Sequence, residues 1–112
     1  MTATSFESLK KRRDFVRVQN SASKRRGKRL IVLRDRGLSE ANYRVGFTVS
    51  KRVGNAVVRN RVKRRLREIV RASTSLLDAG WDYVVIARPR AATSDFQALR
   101  KDFECQLLAL KN

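Results

Sequence analysis

The stretch from Tyr43 to Arg71 limits what this chain can become more than any other. Tyr43, Val45, Phe47 and Val49 fall on one side of an extended backbone, while Arg44, Thr48 and Ser50 fall on the other. Alternation of this kind predicts a half-buried strand over 43–53. Gly54 and Asn55 then switch the backbone into a helix. Glycine relaxes the turn, and the asparagine side chain accepts an orphan N–H at the helix start. At 100° per residue, Val58, Val62, Leu66, Ile69 and Val70 form one stripe, and Asn60, Lys63, Arg64, Arg67 and Arg71 gather on the opposite side. The result is a strand, a tight turn and an amphipathic helix with a cationic outer face.

Charge density makes that face unusual. Between Lys51 and Arg71 there are nine basic residues and one acid, Glu68. The 112-residue chain carries a net charge of +17, of which residues 1–36 supply +9 and residues 51–71 supply +8. The remaining segments are neutral. Such a surplus opposes compaction by self-repulsion, which a polyanionic partner relieves. Arginine outnumbers lysine by 19 to 8, favouring bidentate phosphate contacts and stacking over simple charge. The helix start at Gly54 and Asn55 also aims backbone N–H groups outward, an anion site beside Lys51 and Arg52. No apolar run approaches the roughly 20 residues of a spanning helix, and the opening MTATSFESLKKRRDF lacks the apolar stretch of a secretory signal. A lone cysteine, Cys105, suits a reducing cytosol. Nucleic acid, met in the cytoplasm and without a membrane, is the polyanion these features select.

The rest of the chain reads as one domain over 1–112, with 1–8 as a flexible N-terminus. Leu9 to Asn20 suggests a short helix with Phe15 and Val18 on one side. Ser21 to Gly27 reads as a basic turn. The run Leu30 to Leu33 suits a strand that forms a hairpin with the one starting at Tyr43, and RDRGLSEAN between them reads as the connection. Trp81 to Arg88 is the most strand-like segment, and its VVIA run implies burial on both faces. Its Trp81 and Tyr83 are read as core or rim packing. Pro89 stops it. Caps at Thr93, Ser94 and Asp95 open a last helix in which Phe96, Leu99, Phe103, Leu107 and Leu110 share a stripe and Cys105 points away. The order helix, hairpin strands, helix, strand, helix predicts an α/β (α+β) sandwich, a small mixed sheet covered by helices.

Catalytic chemistry is hard to find. There is no histidine, so the commonest general base and metal ligand is missing. One cysteine excludes CxxC sites. The ten carboxylates are scattered, which argues against a nuclease built on two carboxylate-held ions. RVGFTVSK lacks the interleaved aromatics of an RNA-recognition signature, and Gly46 to Gly54 does not supply a phosphate loop of the Walker type. No catalytic residue and no metal site is expected. Binding remains.

The string at 44–68 closely resembles the bacterial ribonuclease P protein component. The carriers are Val49-Ser50-Lys51-Arg52-Val53-Gly54-Asn55-Ala56, then Arg59-Asn60-Arg61 and Lys63-Arg64. The similarity extends to Leu9-Lys10 through Asp14-Phe15, to LIVL at 30–33 and to DYVVIARP at 82–89, and covers most of residues 9–110.

That resemblance implies a subunit of an endoribonuclease whose catalytic RNA cuts precursor tRNA to leave the mature 5′ end. Mg²⁺ would be held mainly by RNA. It implies that Arg59, Asn60, Arg61, Lys63, Arg64 and Arg67 contact the RNA subunit. Phe15, Phe47, Lys51 and Arg52 would serve the single-stranded 5′ leader in a cleft between the first helix and the sheet. Further aromatics common in the family are replaced here by Gln19 and Leu33, implying more polar leader contacts. The resemblance also implies a left-handed β-α-β crossover, against the usual rule, and no obligate protein partner. A ribosomal-type structural RNA-binding protein would share the charge without the processing role. A DNA-binding regulator would be expected to present paired recognition helices, and only one strongly basic helix is evident.

Overall fold

The computed structural model describes residues 7–21, 23–37 and 42–111. Its elements run β1 (Glu7–Ser8), α1 (Arg12–Gln19), β2 (Lys24–Arg26), β3 (Leu30–Arg36), β4 (Arg44–Thr48), α2 (Ala56–Ala72), β5 (Trp81–Ala87) and α3 (Phe96–Lys111). Short 3-10 helices lie at Thr74–Leu76 and Pro89–Ala92. Of the residues expected to form a flexible terminus, 1–6 lie outside the described ones, while Glu7–Ser8 pairs in parallel with Arg44 and Val45.

The five strands form one mixed sheet in the order β1-β4-β5-β3-β2. Here the structure corrects the sequence reading. β3 and β4 do not form a hairpin, because β5 lies between them, antiparallel to β3 and parallel to β4. The reason lies in β5 itself. Tyr83, Val84 and Val85 are all buried, with side chains alternating between the two faces. A strand apolar on both sides needs cover on both faces and ladder partners on both edges, and pairing β3 with β4 would leave it at a sheet edge. The hairpin that does form joins β3 to β2, and β2 falls within the stretch 21–27 that the sequence reads as a turn.

Helices cover both faces. α2 and α3 pack over Leu30, Val32, Val45, Tyr83 and Val85, with Val62, Leu66, Ile69 and Val70 forming the buried stripe of α2. Leu99, Phe103 and Leu107 do the same for α3, whose start is capped by Asp95 Oδ1 accepting the Ala98 N–H at 2.8 Å. α1 lies on the other face, where Val18 joins Leu9, Leu33 and Val84. Tyr83 is core, its hydroxyl accepting the Asp78 N–H at 3.0 Å, and Trp81 is stacked by Arg34 and Arg36 at 4.0 and 4.5 Å.

A buried ion cluster ties α1 to the sheet. Asp82 is 1% exposed. It accepts from Arg44 Nε at 2.9 Å and Arg44 Nη2 at 2.7 Å, and from Arg17 of α1. Arg17 also reaches Asp35 at 3.2 Å, and buried Asp14 stands within 3.6 Å of Arg44. Burial would raise the Asp82 pKa, but hydrogen bonds and charge from Arg44 and Arg17 outweigh it and hold the carboxyl below its ordinary 3.8.

Strand registers fix which end of the sheet carries which charges. Thr48 stands opposite Ile86, and Leu30 opposite Ala87. The ends of β4 and β5 and the start of β3 therefore share one end of the sheet, where α2 also begins. No helix of the described residues is long and apolar enough to cross a membrane.

Candidate nucleic-acid interface

The start of α2 is built as the sequence predicts. Asn55 is extended at the cap position and its side-chain oxygen accepts the Val58 N–H at 3.0 Å. Gly54 has φ +158°, and a Cβ there would stand 2.8 Å from Val58. Any side chain at 54 would push the first turn of the helix away. Lys51 and Arg52 are exposed in the turn before it, and Asn60, Arg64 and Arg67 are exposed along the helix.

The ion pairs among the described residues centre on Arg17, Arg34, Arg44, Arg100 and Lys111. Arg59, Arg61, Lys63, Arg64 and Arg67 take no described carboxylate as partner. Arg59 and Arg61 are half-buried at the flanks of the cationic face. Arg61 Nη2 donates to the Ala92 carbonyl at 3.2 Å, and Arg65 Nη1 to the Ser94 carbonyl at 3.1 Å. The Nε–H groups of Arg59 and Arg61 find no acceptor among the described residues. An anion that draws either guanidinium outward would satisfy a donor otherwise left unpaired.

A second feature lies at the edge of β4. β1 covers only Arg44 and Val45, so the β4 edge opens at Gly46. There a cleft of about 230 Å³ is lined by Leu9 and Lys10 beside β1, Phe15 of α1, Gly46 and Phe47 of β4, and Lys63 and Arg67 of α2. Phe15 lies against the strand, since a Cβ on Gly46 would be 2.5 Å from its Cζ. Phe15 is half-buried against the core beneath α1 and also lines the cleft. Phe47 packs against the α2 core while lining the same space. Leu33, by contrast, is buried beneath α1.

The structure thus brings Phe15 and Phe47 together. It adds Lys63 and Arg67 to them, which the sequence reading had assigned to the α2 face alone. Helical geometry could have signalled this, because Lys63 and Arg67 are four residues apart on the flank facing β4. Lys51 and Arg52 lie in the turn leading to α2 and do not line the cleft.

The family model for Ribonuclease P matches residues 4–111. The chain is 44% identical over 105 residues to the ribonuclease P protein component of Ruegeria pomeroyi, covering 91% of this chain and 84% of that protein. The RNase P protein of Staphylococcus aureus superposes with a TM-score of 0.82 at 28% identity, over 96% of this chain and 97% of that one. The RNase P protein from Thermotoga maritima gives 0.79 at 30%, over 90% and 94%.

Proposed function

From the premise that this chain belongs to the ribonuclease P protein family and is the protein subunit of that endoribonuclease, we propose how it engages RNA. The face of α2 carrying Arg59, Asn60, Arg61 and Arg64 docks on the catalytic RNA. The cleft holding Phe15, Phe47, Lys63 and Arg67 takes the single-stranded 5′ leader of precursor tRNA, with Lys51, Arg52 and the helix start at Gly54 and Asn55 contributing positive potential nearby. The carrying observation is a helix face whose guanidinium groups have no described carboxylate partner, beside an aromatic-lined cleft.

The chemistry of cleavage belongs to the RNA in this reading. Mg²⁺ is held by the RNA in the same reading. The protein's own work is electrostatic. It neutralises phosphates, positions the leader and raises the affinity of the ribozyme for its substrate. This work takes place in the cytoplasm.

Replacing Arg59 and Arg61 together by alanine should weaken binding to the RNA subunit about 100-fold, taking ~1.5 kcal/mol for each charge-assisted bond lost. Circular dichroism should show the fold retained. Undiminished holoenzyme assembly in a titration would refute the docking face. Phe15→Ala should weaken leader-bearing precursor by roughly 5- to 100-fold, the worth of one stacked base, and leave mature tRNA unaffected. Gly46→Ala, which displaces the Phe15 ring, should reproduce the effect in milder form. Equal losses for precursor and mature tRNA would show that the fold, not the cleft, had been damaged.

A further inference from the structure

A further concentration of charge lies away from both features. At the sheet end shared with the start of α2, the β2–β3 turn and the corner after β5 form an open basin of about 500 Å³. It is lined by Arg26, Gly27, Lys28, Arg88 and Arg90. The lining holds four cations and no apolar side chain.

The basin is held in shape from within. Asp102 of α3 accepts the N–H groups of Arg29 and Leu30, both at 3.1 Å, and fixes the turn. The Arg88 N–H donates to the Arg29 carbonyl at 2.9 Å, and Arg88 Nη1 to the Gly27 carbonyl at 2.8 Å. The nearby acids Asp102 and Asp95 are engaged by backbone amides of the turn and of α3. Arg26, Lys28 and Arg90 remain exposed.

The basin is also joined to α2. Ser94 is the junction: its carbonyl accepts from Arg65 at 3.1 Å, and its hydroxyl accepts from Arg29 Nε at 2.8 Å while donating to the Arg90 carbonyl at 2.7 Å. Arg61 reaches Ala92 in the same corner. Arg61, Arg65 and Arg29 therefore converge on the corner at 88–94, which joins α2 to the turn at 26–29. The leader cleft lies elsewhere, at the β4 edge.

We infer that this basin is a second docking surface for the RNA subunit, receiving phosphodiesters of a segment adjacent to the one held by α2. The inference rests on the reading of α2 as the RNA-subunit face. Guanidinium groups at fixed positions in a concavity suit phosphate oxygens. A membrane surface would require apolar side chains at the rim, and the lining offers none.

The test compares wild type, Arg59→Ala/Arg61→Ala, and Arg26→Ala/Lys28→Ala/Arg90→Ala. The triple variant removes only exposed, mutually repelling charges, and its melting temperature should not fall. In titrations of the catalytic RNA transcript across salt, the triple variant should bind 10-fold or more weakly, with a log–log salt slope shallower by about 2 to 3. Discrimination between precursor and mature tRNA by reconstituted holoenzyme should be unchanged. Wild-type affinity and slope in the triple variant, alongside a loss in the α2 variant, would overturn the basin and leave the proposed function standing. A loss confined to precursor tRNA would transfer the surface to the substrate and overturn its assignment. Wild-type binding by both variants would remove the reading on which the inference rests.

Discussion

Asp82→Ala is expected to destabilise the protein by about 3 kcal/mol, the lower part of the range for removing one partner of a buried ion pair. Arg44 and Arg17 would both lose their central acceptor, and with it the clamp between α1 and the sheet. Their side chains are 19% and 32% exposed, so partial hydration keeps the loss from being larger. Urea denaturation measures it, and a change below about 0.5 kcal/mol, the scale of an ordinary surface substitution, would show the cluster to be energetically idle. The same residue sets an acid dependence. Its carboxyl is held below 3.8 in the fold, whereas the unfolded chain titrates near the ordinary value. Its contribution is therefore complete above that pH and fades as pH falls through the folded value. Between pH 6 and 3 the wild type should lose more stability than Asp82→Ala does.

The other large effect is on salt. If α2 and the basin together neutralise ~6 to 8 phosphates, log affinity for the RNA subunit should fall against log salt with a slope of about −5 to −7. Raising salt from 50 to 200 mM would then weaken binding by roughly three to four orders of magnitude. Filter binding or fluorescence titration across that range would decide it. A slope shallower than about −2 would mean that the cationic face is mostly solvated in the complex, with affinity coming from stacking and shape.

Periodicity made the helices legible. The stripe of α2, its Asn55 cap and the Asp95 start of α3 are local features, encoded within a few residues of where they act. What periodicity does not encode is which strand lies beside which. Pairing of β3 with β4 follows the usual preference for neighbours in sequence, and it is overturned by β5. The apolar run of Tyr83 to Ile86 already held the clue, since a strand buried on both faces belongs in the middle. β2 reads as a turn in the sequence because its three residues, Lys24, Arg25 and Arg26, offer nothing to a core. It exists as an edge because β3 supplies the ladder. The Arg-Asn-Arg motif was found by resemblance, whereas the cleft depends on contacts between α1, β4 and α2 that only the assembled fold reveals. Phe15 over Gly46 is the clearest case, two residues about thirty positions apart with no local sign of their contact.

The insertion of β5 also orders events at the ribosome. β3 and β4 each require β5 as a neighbour, so a nascent chain shorter than about 80 residues carries two strands with no mutual bonds and most of the molecule's cations. Closure must wait for residues 81–87 to emerge, and contacts this distant in sequence form slowly. Until then the polypeptide is an unfinished, strongly basic ribbon.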